Sequence, residues 1–164
     1  MDLVCLILRG LPGSGKSALA ELIARETGAV ICSATHFFEQ DGGYSFVPDL
    51  LAKAHAFCLR EFYRALRAGL PVIIDNTHAQ LWEYLKYADI ARGAEYRVVV
   101  MEITAPTREL RDIFFARNVH AVPDYVFRKM SYRWEYDAGA IRVDWQEFSP
   151  DQPLPVKFKG LFTG

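Results

Sequence analysis

Apolar runs punctuate the first two thirds of the chain, each followed by small or polar residues. Leu3–Leu8 is continuously apolar, which predicts a strand buried on both faces. Ala29–Cys32, Pro71–Asp75 and Tyr96–Thr104 read as further strands. Between them the period changes to that of a helix. In Lys16–Thr27, Leu19, Leu22, Ile23 and Glu26 fall at helical spacing, and Gly28 is the stop. Asp49–Ala68 carries a stripe of Leu51, Ala54, Cys58, Phe62 and Leu66 and is stopped by Gly69. Thr77 with Gln80 reads as a capping box opening a helix to Arg92. Pro106 opens a fourth helix, and Pro123 a fifth that runs to about Tyr136. Phe37–Pro48, with Gly42 and Gly43, reads as a loop, and the proline-bearing tail from Ala140 as an edge strand or an extended arm.

Strands alternating with helices predict an α/β fold, with a parallel sheet of four to five strands covered by helices on both faces. Such sheets bind ligands outside the carboxyl ends of their strands. The residues just after each strand therefore carry the functional information. The expected organisation is one domain: a core over 1–104, a helical lid region over 105–136 and a C-terminal strand or arm over 137–164.

After the first strand stands Gly10-Leu11-Pro12-Gly13-Ser14-Gly15-Lys16-Ser17, the full G-x-x-x-x-G-K-[ST] pattern. The glycines let the backbone curl so that its N–H groups face phosphate oxygens, and a helix N-terminus faces the same anion. The expected phosphate cradle is Gly10, Pro12, Gly13, Ser14, Gly15, Lys16, Ser17 and Ala18, with Lys16 on the β/γ-phosphates and Ser17 on Mg²⁺. This motif sets the fold expectation as a three-layer P-loop NTPase, with ATP and Mg²⁺ as cofactors; the kinase type is what the resemblance given below implies. The third strand ends in Asp75-Asn76-Thr77, where a carboxylate would support Mg²⁺ or handle an acceptor. For Thr77 a capping role is expected. His78 is either cleft-facing or a solvated first-turn residue. Late in the chain, Arg117 precedes Asn118, His120 and Pro123. A lid arginine there, with Arg108 and Arg111 as alternatives, would meet charge developing on a γ-phosphoryl group.

These residues together resemble the P-loop kinase group that includes polynucleotide 5′-hydroxyl kinases. The runs RGLPGSGKS, SATHFF, DGGYSF, AHAFCLREF, VIIDNTHAQLWEY and ARNVHAVP carry the likeness, from about Leu3 to Tyr136. Small ATP-binding, AAA-like proteins of the group and kinase-like domains of some ubiquitin-ligase-binding proteins are closer still in pattern. The resemblance implies ATP bound by Lys16 and Ser17, Asp75 in the acceptor and metal region, Arg117 acting from the lid, and transfer to a hydroxyl acceptor. That acceptor would be a nucleic-acid 5′-end or a nucleoside-like small molecule. The resemblance also implies an aspartate general base soon after the second strand. Thr35 occupies its place, Phe38 replaces an arginine of bacteriophage-type kinases, and His78 replaces the last Asn of D-N-T-N.

A hydroxyl takes up no proton near neutrality. General-base assistance is typically worth about 10²–10⁴ in rate, whereas phosphoryl transfer depends mostly on positioning and charge. The loss should weaken transfer and leave nucleotide binding intact. His36, Glu39, Asp41 or Asp75 could substitute, His36 being first by position. A nucleotide-binding module with little catalysis is the competing expectation. The aromatics of Asp41–Phe46 either stack on an acceptor or cover the core.

Composition narrows the partners. The 164 residues suit one domain, and 51% hydrophobic with 24% charged residues is a globular mix. The formal net charge of -1 means that any polynucleotide must meet a local basic patch. Cys5, Cys32 and Cys58 lie in apolar segments without paired spacing, which predicts buried thiols and no disulfide partner. The 4 histidines lack metal-ligand spacing. No run has membrane-spanning length or the form of a signal peptide, so a cytoplasmic protein with no membrane partner is expected.

Overall fold

In the computed structural model, residues 3–39, 42, 43 and 46–163 are described. The expected flap falls partly outside them, and so does the alternative base Asp41. Five parallel strands form one sheet in the order β2-β3-β1-β4-β5. They are β1 (Val4–Arg9), β2 (Val30–Cys32), β3 (Val72–Asp75), β4 (Arg97–Ile103) and β5 (Ile141–Val143). The edge strand expected in the tail is β5, which pairs with β4.

Strand β1 is buried along its whole length, and its alternating side chains define the two layers. Val4, Leu6 and Leu8 pack with Leu19, Leu22 and Ile23 of α1 (Lys16–Thr27) and with Phe114 and Phe127 of α5 (Arg108–Ala116) and α6 (Asp124–Tyr132). Cys5 and Ile7 pack with Cys58 and Phe62 of α3 (Leu51–Arg67) and with Tyr84, Tyr87 and Ala91 of α4 (Trp82–Gly93). Helices therefore cover both faces. The tail folds back rather than extending as an arm: Phe148, Leu154 and Phe158 join the α1 layer, and α7 (Val156–Lys159) lies against α1. A short turn, α2 (Thr35–Phe38), fills the start of the expected loop, where Phe37 and Phe38 rings meet edge-on at 5.3 Å. A 3-10 turn, Pro48–Leu50, precedes α3, so Asp49 stands outside the α-helix expected to begin there. Cys5, Cys32 and Cys58 are buried free thiols. Among the described residues no helix is long and apolar enough to cross a membrane.

Two further boundaries differ from the sequence expectation, and one buried side chain explains both. Arg9 ends β1 with no exposure. Its Nε donates to the His78 carbonyl at 2.9 Å, and its Nη2 to the carbonyls of Ala79 at 3.0 Å and Glu135 at 2.7 Å. Gly10 N donates to the Thr77 carbonyl at 3.2 Å. The chain at 77–79 is thus spent on β1, and α4 opens at Trp82, with Glu83 Oε2 accepting from Gln80 N at 2.7 Å. Thr77 is not the cap. Likewise α6 ends at Tyr132 because Glu135 is drawn inward, its N–H donating to the Ala79 carbonyl at 2.8 Å.

Candidate functional site

Gly13 and Gly15 hold the P-loop's curl with φ of 81° and 91°. At Gly13 space forbids a side chain as well, because a Cβ would stand 1.8 Å from the Phe114 carbonyl oxygen. The loop is therefore pressed against the C-terminal end of α5. Helix α1 starts at once, Leu19 N donating to the Gly15 carbonyl at 3.0 Å. Lys16, Ser17 and Ala18 make its first turn, whose N–H groups and dipole face the loop. Gly10, Pro12 and Ser14 are buried, and the Ser14 hydroxyl has no hydrogen-bond partner.

The neighbouring strand, β3, delivers Asp75 to the same edge, in register with Leu8 of β1. Its Oδ2 accepts from the Ser17 hydroxyl at 2.8 Å, and its Oδ1 lies 3.9 Å from Lys16 Nζ. The carboxylate is buried, and Oδ1 takes part in no hydrogen bond. A buried carboxylate beside a serine hydroxyl is a hard-oxygen pair that fits Mg²⁺ completed by water and phosphate oxygens. No group of three His, Cys, Asp or Glu residues able to hold a metal occurs among the described residues.

Arg117 caps α5 and turns toward the cradle. Its guanidinium lies 4.6 Å over the Trp145 ring, and a Cβ on Gly15 would be 3.8 Å from its Nη2. The same Cβ would be 3.3 Å from the Phe148 ring. Lys16, Ser17, Asp75 and Arg117 thus converge on one corner.

The turn after β2 is held by Asn76. Its Oδ1 accepts from Ala34 N at 2.9 Å, and its Nδ2 lies 3.5 Å from Cys58 Sγ on α3. The Thr35 hydroxyl is 2.8 Å from the Ser33 hydroxyl, with Thr35 N donating to Ser33 Oγ at 3.2 Å. No carboxylate stands on this turn, Glu39 being exposed at its end. The His36 side chain is half-buried and makes no hydrogen bond or ion pair among the described residues. His78 is neither solvated nor in the cleft. It is buried at φ 52°, its ring Nδ1 lies 3.1 Å from the Leu8 carbonyl, and burial pushes its pKa down to about 3. The carbonyl can only accept, so Nδ1 carries a proton and the ring is neutral.

Comparison with known proteins bears on this corner. A family model described as "AAA domain" matches residues 5–135. The chain belongs to that AAA-domain family. Human NEDD4-binding protein 2 is 34% identical over 124 residues, covering 74% of this chain and 7% of that protein. A protein of Acanthamoeba polyphaga mimivirus, named for a bifunctional polynucleotide phosphatase/kinase, is 24% identical over 163 residues, or 91% of this chain and 34% of that one. The chain thus spans 7% of one of these relatives and about a third of the other. Among solved structures, the Pnkp1/Rnl/Hen1 RNA repair complex superposes with a TM-score of 0.65 at 23% identity, over 80% of this chain and 44% of that one. The fold is that of the P-loop kinases.

Two residues of this AAA-domain chain escape a sequence reading. Arg9 looks like a polar end to an apolar run, yet it is stacked between the rings of Tyr84 at 5.0 Å and Trp134 at 4.7 Å. His55 sits on α3 one turn before Cys58, the residue that touches Asn76. Because α3 starts at the carboxyl edge of the sheet, His55 lies nearer that edge than Cys58 does. Burial, and secondarily Lys86, push its pKa down against the opposing charge of Glu83. The only sequence signal for His55 was its place three residues before Cys58.

Proposed function

We propose that the protein binds Mg²⁺-ATP in the Gly10–Ser17 cradle and transfers the γ-phosphoryl group to a hydroxyl. The observation that carries this reading is the convergence of Lys16, Ser17 and Asp75 at the mouth of the P-loop. Lys16 would neutralise the β/γ-phosphates. Ser17 and Asp75 would hold Mg²⁺, which when bound supplies charge neutralisation along the phosphates. Arg117, within reach of the cradle, would meet charge gathering on the leaving oxygen.

In the transfer the acceptor oxygen forms a bond to the γ-phosphorus, the bond to the β-phosphate oxygen breaks, and ADP leaves. The acceptor's proton needs a home. Thr35 cannot take it, and the candidates on neighbouring elements are His36 on the turn itself and His55 on α3, one turn before the Cys58 that touches Asn76. Burial pushes the His55 pKa down, which favours its neutral, proton-accepting form.

The Thr35–Ser33 hydroxyl pair also favours a second reading, a nucleotide-binding module with weak transfer that works by changing conformation. The two readings separate on incubation with γ-labelled ATP, Mg²⁺ and a panel of 5′-hydroxyl oligonucleotides, nucleosides and polyols. Label moved to an acceptor, and lost in Lys16→Ala, supports the transferase. Tight ATP binding with no transfer to any acceptor supports the module.

A further inference from the structure

A net charge of -1 hides an uneven distribution. Helix α3, LAKAHAFCLREFYRALR, carries four cations and one acid, so it is net +3 and the rest of the chain is net -4. The cations also share a face. Lys53, Arg60, Arg64 and Arg67 are separated by seven, four and three residues, which places them on one side of a helix. All four are exposed, opposite the buried Ala54, Cys58, Phe62 and Ala65. At a rise of 1.5 Å per residue the stripe is about 21 Å long.

Its surroundings favour a ligand over a solvated helix face. Ala56, Leu59 and the exposed ring of Tyr63 join Arg60, Arg64 and Arg67 on this one open helix face. Arg64 meets Glu61 at 2.9 Å in an exposed pair of the kind worth little, open to exchange for a phosphate. Arg60 rests 5.7 Å over the Phe57 ring. Lys53 and Arg67 have no ion pair among the described residues, and Asp49 is the one acid in the turn before the stripe. The arginine-lined groove between α5 and α6 differs. There Arg108, Arg111 and Arg128 share about 310 Å³ with Asp112 and Asp124, and Asp124 binds Arg128 at 2.8 Å. Its charge is largely cancelled.

Position completes the argument. Helix α3 follows β2 and precedes the parallel β3, so it begins at the carboxyl edge of the sheet and runs back to the other. Lys53, in its first turn, is at the edge that holds Asp75 and the Thr35 turn. Phe57, one turn on, meets Phe37 of that turn at 6.1 Å.

We propose that this face of α3 is a track for the sugar-phosphate backbone of a nucleic-acid strand whose 5′-hydroxyl end is the acceptor. The inference rests on the phosphotransferase reading for the end's chemistry, but not for the strand's binding. The cations neutralise successive phosphates, and Tyr63 supplies a ring for an unpaired base. A nucleoside would use the acceptor cleft and leave the stripe empty.

The test compares the full chain with the triple variant Arg60→Gln/Arg64→Gln/Arg67→Gln. A control replaces three exposed cations on other faces, Arg25→Gln/Arg92→Gln/Arg133→Gln. Binding of a fluorescent single-stranded 5′-hydroxyl oligonucleotide is followed by anisotropy from low to moderate salt, without ATP. The stripe variant should bind about ten-fold or more weakly, and its slope of log affinity against log salt should flatten by about two. The control and the affinity for Mg²⁺-ATP should hold, and thermal unfolding should show the variant folded. Equal loss in variant and control, an unchanged slope, or no oligonucleotide binding by the wild type would overturn the proposal. If strand binding behaves as stated while no acceptor is phosphorylated, the transferase reading fails and the track stands.

Discussion

Arg9 and Glu102 are register partners on β1 and β4, and both are buried, with Arg9 Nη1 4.0 Å from Glu102 Oε2. Glu102 Oε1 also accepts from Trp134 Nε1 at 2.6 Å. The pair sits one residue before the P-loop and fixes the strand-to-helix connection that follows Asp75. A buried arginine is tolerable here because three carbonyls, a carboxylate and two ring faces replace its water. Arg9→Ala leaves those acceptors unpaired, and a loss of about 3–5 kcal/mol is expected in urea unfolding. Glu102→Gln keeps the Trp134 bond and should cost clearly less.

His78 makes stability depend on pH. Its folded pKa, near 3, is below the unfolded value near 6.5, so the unfolded chain binds the extra proton first. The stabilisation is therefore complete above pH 6.5 and is lost as pH falls toward 3, at about 1.4 kcal/mol per unit for this one group. Comparing unfolding at pH 7 and pH 5 reads the effect before most carboxylates titrate, together with a same-signed share from His55, whose pKa burial also lowers. His78→Asn, which tolerates the left-handed backbone and keeps a donor, should flatten that dependence.

Gly13→Ala should be far worse than an exposed glycine substitution. Its Cβ would meet the Phe114 carbonyl at 1.8 Å, on a backbone at φ 81°. Displacing the end of α5 also moves Arg117. A lowered melting temperature together with lost ATP affinity is expected. Gly43→Ala, with nothing near its Cβ, should change neither.

The proton acceptor is open to direct assignment. Thr35→Asp should raise transfer about ten-fold or more if that position faces the acceptor. Alanine at the imidazole that serves as base should lower the rate and remove the acid limb of its pH profile. In the Thr35→Asp background the same change should matter little. If neither His36→Ala nor His55→Ala alters the profile, imidazole catalysis is excluded.

The parallel sheet and the cradle were legible in the sequence because both have local signatures. Continuous apolar runs mark strands buried on two sides, and G-x-x-x-x-G-K-S sits between a strand and a helix. Asp75 was legible by its place at a strand end. Arg9, His55, the true start of α4 and the true end of α6 were not. Each depends on contacts between residues far apart in the chain, such as Arg9 with Glu135, which no local pattern encodes. His78 was misread for the same reason: its partner is the Leu8 carbonyl. The basic face of α3 was spelled out in the sequence, but a total charge near zero concealed it.

The central claim is that Lys16, Ser17 and Asp75 form a Mg²⁺-nucleotide site. Calorimetric titration of ATP with and without Mg²⁺ tests it most directly, using the wild type, Lys16→Ala and Asp75→Asn. Wild-type binding should tighten with Mg²⁺, Lys16→Ala should weaken it by about ten-fold or more, and Asp75→Asn should remove most of the Mg²⁺ dependence. Equal affinities in all three proteins, with or without the metal, would contradict the account.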